Sequence, residues 1–357
     1  MNKNIKLSII LPAYNGEIYI SDMIESVLAQ TYKYFELIIV NDGSKDSTLE
    51  ICEKYAQKDS RITVINQTNK GIWGARNTGL EAANGEYIGF LDQDDKIKKN
   101  MFEQLIYHIE KNNADMVISG KCYIVVKQNG SEFKETIVYK DELIDDKNNI
   151  KKLMFNRSNS RELVTIWNCL YRSKIIKENS IQFDSTFKFG GEDNIFNVEY
   201  ASYCKSIYIT SDVFYQYFQR SGFSTSTKFN NNYLNTFLYF LKKIYDFSVK
   251  DTRDESLLEE YYNMFFMSII TAYYYYLSHQ DMSKNDKLDL FKFMCNLDEV
   301  KIFFSRYRLL PVSRGRAYNL YLKFIYILMK SNKYNLLSNV LDACYKVKED
   351  GKIKWAM

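Results

Sequence analysis

Short apolar runs alternate with amphipathic segments along the first 120 residues. The apolar runs predict buried strands over residues 7–11, 36–40, 62–65, 87–91 and 115–119. Apolar residues at helical spacing between these runs predict helices over residues 18–30, 48–57, 72–83 and 98–111. Strands that alternate with helices are typical of a mostly parallel sheet with flanking helices. The pattern therefore predicts an α/β fold in which ligands bind at the carboxyl ends of the strands.

The alternation of strands and helices ends near residue 120. Residues 121–220 mix strand and helix patterns, whereas the chain beyond residue 230 has helical spacing throughout. Helices are predicted there over residues 233–249, 254–278 and 283–295, followed by a final pair in the last sixty residues. We place a domain boundary near residue 225. The sequence thus predicts one domain over residues 1–225 and an α-helical C-terminal region over residues 226–357.

The composition narrows the chemistry that the chain can perform. Hydrophobic residues make up 46% and charged residues 26% of the 357 residues, which is enough to form a packed core. Six scattered cysteines without a Cys-x-x-Cys pair, and two histidines, argue against a zinc site, a disulfide framework and a Ser-His-Asp triad. The first apolar run is too short for a signal peptide, and none approaches the roughly 20 residues of a membrane-spanning helix. These features predict a cytoplasmic protein.

The last 57 residues are strongly basic. Residues 301–357 contain twelve Lys or Arg and three acidic residues, a formal charge of +9, whereas the whole chain carries +4. The first 300 residues are therefore mildly acidic, at about −5. At helical spacing, most of the cations (Lys301, Arg306, Arg308, Arg314, Arg316, Lys323, Lys330 and Lys333) lie away from an apolar stripe (Tyr318, Tyr321, Leu322, Ile325, Leu328 and Met329).

The basic tail has two interpretations of equal weight. A basic amphipathic helix suits an anionic membrane surface, which would place the protein at the inner face of the plasma membrane. Alternatively, the apolar stripe packs on the acidic first domain. Nucleic acid is not an expected partner.

The loop after the fourth predicted strand carries three acidic residues, Asp92, Asp94 and Asp95. Carboxylates this close together repel one another unless a cation or several hydrogen-bond donors lie nearby. Oxygen ligands without His or Cys are typical of Mg²⁺ or Mn²⁺ sites. The alternative is a solvated turn in which Asp94 or Asp95 caps the next helix.

Two further loops lie at the same predicted edge of the sheet. Asp42 follows the second strand and has no evident capping role, so it is expected to accept hydrogen bonds from a nucleotide base. Tyr14, after the first strand, offers an aromatic face for a ring. Neither loop is a glycine-rich phosphate cradle, so phosphates would be bound by a metal and by cations such as Arg76.

Five motifs at these positions resemble the glycosyltransferases of family 2. They are IILPAYN at 9–15, SVLAQT at 26–31, ELIIVNDGS at 36–44, ARNTG at 75–79 and GEYIGFLDQDD at 85–95. Two later segments, WNCLYR at 167–172 and the pattern from Tyr215 through Tyr217 and Arg220 to Ser224, resemble bacterial members. The resemblance implies a GT-A fold, with a nucleotide-sugar half over residues 1–120 and an acceptor half over residues 121–225.

The resemblance also implies roles for individual residues. Pro12, Tyr14 and Asp42 would contact the base, Asp92 the ribose or the sugar, and Asp94 a Mn²⁺ or Mg²⁺ ion. The general base would be Asp193, with Glu192 beside it, in the segment GGEDN at 190–194. A helix that begins at this pair would favour both carboxylates in their ionised form.

The function that the resemblance implies is inverting, metal-dependent transfer of a hexose or N-acetylhexosamine. The expected donor is a UDP-sugar, and the expected acceptor is a hydroxyl of a glycan or lipid-linked saccharide in capsule or other surface polysaccharide synthesis. The Gln-x-x-Arg-Trp signature of processive synthases is absent, which favours one sugar per encounter. A sugar-1-phosphate nucleotidyltransferase and a non-catalytic sugar-nucleotide binding protein are the alternatives.

Overall fold

The computed structural model describes most of the chain. The described residues are 6–126, 131–155, 162–187, 191–220, 233–277, 283–310, 316–337 and 339–341. The chain divides into two compact units. One comprises Met1–Met154 and Glu162–Lys228, and the other comprises Phe155–Arg161 and Phe229–Met357. The predicted boundary near residue 225 lies outside the described residues and stays a prediction.

The first unit contains a mixed sheet of ten strands. The strands are β1 (Leu7–Ala13), β2 (Phe35–Asp42), β3 (Ile62–Gln67), β4 (Tyr87–Phe90), β5 (Lys96–Ile97), β6 (Met116–Val126), β7 (Glu132–Ile137), β8 (Glu142–Ile144), β9 (Cys169–Arg172) and β10 (Ile207–Arg220). Their order is β3-β2-β1-β4-β9-β6-β10-β5, with β7 on β6 and β8 on β10. Strands β1 to β4 pair in parallel, as do β6 and β10, whereas β9 is antiparallel to both β4 and β6.

Helices of the first unit connect these strands. They are α1 (Ile20–Leu28), α2 (Thr48–Lys58), α3 (Ile72–Ala82), α4 (Met101–Lys111), α5 (Lys147–Phe155), α6 (Ser173–Glu178) and α7 (Glu192–Tyr203). The second unit contains α8 (Tyr233–Ser248), α9 (Glu255–Leu277), α10 (Lys284–Cys295), α11 (Asp298–Arg306) and α12 (Arg316–Lys330). The predicted α/β fold with a mostly parallel sheet, flanking helices and a helical C-terminal region is confirmed.

Strand β1 lies between β2 and β4 and is buried along its whole length. On one face, Ile9 belongs to a core that also includes Met23 and Val27 of α1. On the other face, α3 packs closely against β1, because a Cβ atom on Gly79 would lie 2.4 Å from Cγ2 of Ile10. Gly79 therefore fixes how closely α3, and the site residues on it, approach the sheet.

The predicted first loop begins two residues too early. Pro12 and Ala13 belong to β1 and are buried, with Pro12 opposite Val40 of β2. The pairing of β1 with β4 ends at Ile10, whose carbonyl accepts from the Leu91 amide. The nitrogen of Pro12 faces the same side as the Ile10 carbonyl, toward β4, where the pairing of the two strands has ended. Its missing N–H therefore costs no sheet hydrogen bond.

The apolar stripe of the basic tail is buried within the second unit. Leu322, Ile325, Leu328 and Met329 of α12 are all at most 5% exposed. The neighbouring Tyr326 makes edge contacts with Phe266 of α9 and Phe303 of α11. Their helical spacing thus serves the core of this unit, so these four residues of the stripe do not face a membrane surface. Contact of the tail with a membrane stays a prediction. The side chains of Arg314, Arg316 and Tyr318 lie outside the described residues.

Candidate functional site

The loops that follow β1 and β4 are held together by one glutamine. The side chain of Gln93 accepts a hydrogen bond from the Tyr14 amide at 3.0 Å and donates one to the Tyr14 carbonyl at 2.9 Å. Gly16 lies against the same side chain, where a Cβ atom would overlap with Oε1 of Gln93. The Tyr14 ring remains largely exposed. The backbone of this loop is therefore fixed while its aromatic face stays open to a ligand.

The loops after β1 and β2 are joined in the same way. The Asn15 amide donates to Oγ of Ser44 at 3.0 Å, and Oδ1 of Asn15 accepts from the Lys45 amide at 2.9 Å. The Gly16 amide donates to Oγ1 of Thr48 at 2.7 Å. Asn15 has a φ of 44°, a left-handed conformation that Asn tolerates better than most residues. The three loops at this sheet edge thus form one hydrogen-bonded layer.

Asp42 has a structural role that the sequence analysis missed. Its Oδ1 accepts hydrogen bonds from Nε2 of Gln67 at 2.7 Å and from the Lys70 amide at 2.8 Å. Its Oδ2 accepts from the amide of Gly71 at 2.8 Å. Gly71 is the N-cap residue of α3 and has a φ of 84°. Asp42 therefore fixes the turn that leads into α3, and its expected contact with a nucleotide base stays a prediction.

Arg76 joins the loop after β4 to the start of α7. Its Nη1 donates to Glu192 at 2.9 Å and to Asp193 at 2.5 Å, and its Nη2 donates to Asp92 at 3.0 Å. The guanidinium is 1% exposed and also lies 5.3 Å from the ring centroid of Phe183. Burial opposes its charge, but the three carboxylates outweigh burial and raise the pKa of Arg76. We call Arg76 and these three acidic residues the Arg76 cluster.

The position of Arg76 differs from the sequence expectation for it. From the sequence, this cation was expected to bind phosphates, yet its terminal nitrogens are directed at carboxylates. A guanidinium engaged by three carboxylates has little positive potential left for a further anion. Arg76 therefore acts first as the counter-charge that allows Asp92, Glu192 and Asp193 to lie together.

The two acidic residues at the start of α7 differ in accessibility. Glu192 is 8% exposed, and its Oε2 is buried without a hydrogen-bond partner among the described residues. Asp193 is 17% exposed and contacts Arg76 through Oδ1. Burial raises the pKa of Asp193 well above its usual range, Glu192 and Asp92 add to the rise, and Arg76 opposes it. This opposes the effect expected from the helix N-terminus. Gly190 of this motif lies outside the described residues.

The three carboxylates after β4 have separate surroundings. Asp92 contacts Arg76, as described above. Asp95 is buried, and it accepts from the hydroxyl of Tyr215 at 2.8 Å and from the Phe218 amide at 2.8 Å. Burial, with Asp92 and Asp94 nearby, raises the pKa of Asp95 well above its usual range. Asp94 is 45% exposed and faces Arg220 of β10. The loop is therefore neither a simple solvated turn nor a set of equivalent ligands.

Two aromatic residues support this loop and were not assigned roles from the sequence. The Asp92 amide donates to the hydroxyl of Tyr215 at 3.1 Å, so Tyr215 bridges Asp92 and Asp95. The ring of Trp167 stacks on Tyr215 with centroids 4.1 Å apart. Both residues lie in segments that resemble bacterial family members, which was the available signal. The contacts of Tyr215 with residues about 120 positions earlier could not be read from that resemblance.

The acidic side chains fit a metal ion that a ligand helps to bind. Within the described parts of the chain, no group of three or more His, Cys, Asp or Glu side chains is arranged to hold a metal. Asp95 is engaged by the protein, whereas Asp94 presents an exposed carboxylate. Mg²⁺ and similar ions are often bound by one or two carboxylates together with substrate phosphates. Asp94 is suited to be such a ligand.

Replacing Arg76 with methionine should strongly destabilise the first unit. The substitution keeps an apolar stem but leaves three carboxylates with no counter-charge, and removing one partner of a buried ion pair costs about 3–5 kcal/mol. Burial raises the pKa of Asp193, and the variant lacks the guanidinium that opposes this rise, so its stability should fall as the pH rises from 5 to 8. Urea denaturation at both pH values measures this effect.

The matched control for this prediction is Arg61→Gln. Arg61 is a partly exposed arginine that pairs with Asp59. It lies directly before the first residue of β3, whereas the site lies at the carboxyl ends of the strands. A surface pair of this kind contributes about 0–1 kcal/mol. Equal losses of stability in the two variants would contradict the assigned role of Arg76.

Comparisons with known proteins agree with this architecture. The profile described as "Glycosyl transferase family 2" matches residues 8–179. The chain is 32% identical over 267 residues to Glycosyltransferase GlyG of Streptococcus pneumoniae, covering 71% of this chain and 87% of GlyG. It is 38% identical over 195 residues to a Bacillus subtilis protein named "Uncharacterized glycosyltransferase EpsJ", covering 54% of this chain and 55% of EpsJ.

A solved structure, that of S. aureus TarS, shares the fold. It superimposes with a TM-score of 0.61 at 22% identity, covering 83% of this chain and 50% of TarS. The chain thus spans about half the length of EpsJ and of that TarS chain. TarS 1-349 in complex with UDP-GlcNAc gives a TM-score of 0.53 at 20% identity, covering 97% of this chain and 92% of that one. With the motifs at the strand ends and the match to GlyG, these findings establish that the chain belongs to glycosyltransferase family 2.

Proposed function

We propose that this protein transfers a sugar, with inversion, from a UDP-sugar to a hydroxyl of a glycan or lipid-linked acceptor. The observation that carries the proposal is the Arg76 cluster. It brings Asp92 of the donor-side loop within reach of the same guanidinium as Asp193 of α7. A group that binds the donor sugar and a group that deprotonates the acceptor must meet at the anomeric carbon. The cluster supports this arrangement.

The nucleotide is proposed to bind over the layer formed by the first two loops. Tyr14 offers an exposed ring, and Pro12 lies in the buried strand directly before it. A carboxylate has about four acceptor positions, and three of those on Asp42 are used by the protein. Asp42 would therefore make at most one further hydrogen bond to a base. Uracil is supported by the fold shared with TarS 1-349, which was solved with UDP-GlcNAc.

Asp193 is the residue we propose as the general base. It is more exposed than Glu192, and Oδ2 is not the atom that contacts Arg76. A base whose pKa lies above that of a free carboxyl group removes a hydroxyl proton more effectively in its ionised form. Glu192 is too buried to reach an acceptor easily. Glu192 would instead hold Arg76 in place beside Asp193.

Asp94 is proposed to hold a Mn²⁺ or Mg²⁺ ion at the donor diphosphate. When bound, such an ion neutralises charge that develops on the leaving phosphate oxygens. Asp92 would remain bound to Arg76 and accept hydrogen bonds from the ribose or the sugar. The two neighbouring carboxylates would thus bind different partners. Asp94 would bind the ion, and Asp92 would bind hydroxyl groups.

Asp94→Ala should abolish metal-dependent release of UDP while leaving thermal unfolding nearly unchanged, because a half-exposed loop carboxylate adds little to stability. UDP release is measured from a panel of UDP-hexoses and UDP-N-acetylhexosamines, with Mn²⁺ or with EDTA. Unchanged metal dependence in the variant would contradict the assignment of Asp94. Formation of pyrophosphate from a sugar 1-phosphate and UTP would favour a nucleotidyltransferase, and nucleotide-sugar binding without turnover would favour a binding protein.

Asp193→Asn should reduce turnover by about 10²–10⁴-fold, the usual loss for a missing general base, with little change in UDP affinity. In the unsubstituted enzyme, turnover should fall as the pH drops through the raised pKa of Asp193, because the protonated carboxyl cannot accept the proton. This acid limb should lie above the usual range for Asp. Rates and UDP affinities measured from pH 4.5 to 8 test both statements.

Glu192→Gln is the matched control for the base. It makes the same change from carboxylate to amide one residue earlier on α7. A much smaller loss of turnover is expected. If Glu192→Gln removed most of the activity and Asp193→Asn little, the assignment within the pair would be reversed.

A membrane contact is also proposed, but through a different face of α12 from the one expected. Leu320, Phe324 and Ile327 are exposed and follow one another at helical spacing, with exposed Lys323 beside them. The segment of formal charge +9 that contains them complements an anionic bilayer. Each cation near such a surface contributes about 1 kcal/mol. Within the described residues no helix is long and apolar enough to cross a membrane.

Changing Phe324 and Ile327 together to serine should weaken binding to liposomes that contain anionic lipid. Binding should also weaken as salt is added, because screening reduces the attraction of the cations. Flotation of full-length protein measures this effect, since the buried residues of α12 make deletion of the tail unsuitable. Phe293→Ser, at an exposed apolar position of α10, is the control. Equal binding to neutral and anionic liposomes would contradict the proposal.

A further inference from the structure

Arg220, the last residue of β10, contacts the proposed metal ligand. Its Nη1 donates to the main-chain carbonyl of Asp94 at 2.8 Å and lies 3.5 Å from Oδ2 of the same residue. Arg220 is 17% exposed, whereas Asp94 is 45% exposed. A cation therefore lies on the protein side of the carboxylate, and the other side of the carboxylate remains open.

The guanidinium of Arg220 is held by more than its carboxylate. It packs over the ring of Tyr19 at 4.1 Å and against the ring of Phe218 at 4.9 Å. The backbone that carries it is fixed where the amide of Phe218 donates to Asp95. Stacking on aromatic rings holds the plane of a guanidinium without using its N–H donors. Arg220 can therefore change hydrogen-bond partners without leaving its position.

Arg76 is not free to balance the charge of a diphosphate at this edge of the sheet. Arg76 is engaged by Asp92, Glu192 and Asp193. If Asp94 binds a divalent ion, its attraction for Arg220 weakens, because the ion neutralises the carboxylate. The diphosphate of the donor then brings negative charge beside Asp94. Arg220, whose attraction for the Asp94 carboxylate has weakened, lies close to that charge.

We propose that Arg220 binds the diphosphate of the donor, and of the UDP product, after exchanging the Asp94 carboxylate for phosphate oxygens. This inference rests on the proposed function, since it presumes a nucleoside diphosphate at this site. Before the donor binds, Arg220 balances the charge of Asp94. Afterwards it balances part of the charge on the leaving group. The planar guanidinium suits phosphate because it can donate two parallel hydrogen bonds, which lysine cannot do.

The test compares UDP with uridine, which lacks the phosphates. Dissociation constants for both are measured by titration calorimetry with Mn²⁺, using the full chain, Arg220→Gln and Arg220→Lys. Losing a charge-assisted hydrogen bond should weaken UDP binding of Arg220→Gln by about tenfold or more, with uridine binding unchanged. Arg220→Lys should fall in between, because it keeps the charge but loses the planar donor pair. If Arg220→Gln did not fold, Arg220→Lys would carry the test.

The ratio of the UDP and uridine dissociation constants decides the outcome. A rise of less than about threefold in this ratio for Arg220→Gln overturns the proposal. Equal weakening of UDP binding and uridine binding also overturns it, because it indicates a structural effect. Arg61→Gln is the control, because Arg61 also packs over a ring, that of Phe35 at 4.3 Å, but at the opposite end of β3. It should leave both constants unchanged. If the unsubstituted protein does not bind UDP, the proposed function fails together with this inference. If it binds UDP and Arg220→Gln makes no difference, this inference alone fails.

Discussion

The convergence of three carboxylates on one buried guanidinium is the interaction on which the site depends. Asp92 comes from the loop after β4, and Glu192 and Asp193 come from the first turn of α7, a hundred residues later. If Arg76 were absent, carboxylates at this spacing would repel one another and would be more stable exposed to water than buried. Arg76 is itself placed by α3, whose distance from β1 is limited by Gly79. The position of one helix against one strand thus decides whether Asp92 can meet Glu192 and Asp193.

The loops around this cluster are held by side-chain hydrogen bonds to backbone groups. Gln93 fixes the loop after β1, and Asp42 fixes the turn that begins α3. Each contact satisfies backbone groups that would otherwise depend on water. A site built in this way needs little rearrangement when a ligand binds, which lowers the entropic cost of binding. The motifs that made the family recognisable are therefore largely the residues that hold the loops in place.

The sequence predicted the elements of the α/β sheet well, because apolar runs and helical spacing are local properties. It did not predict that β9 would enter between β4 and β6 in the antiparallel direction, since an apolar strand does not encode its neighbours. The ion pairs of Arg76 were missed for a related reason, as its partners at α7 lie more than a hundred residues away. The spacing of α12 correctly indicated an amphipathic helix. It could not show that the apolar side faces α9 and α11.

The Arg76 cluster also resolves a conflict in the requirements of a carboxylate base. Burial beside Glu192 and Asp92 raises the pKa of Asp193, which strengthens it as a proton acceptor but favours the protonated form. Arg76 opposes this rise in the pKa of Asp193 and so favours the ionised form that a base requires. Under the proposed function, Arg76 supplies this charge to Asp193 and has little left for a diphosphate. The proposal therefore calls for a second cation beside the phosphates, and Arg220, which contacts Asp94, is the residue that we infer for it.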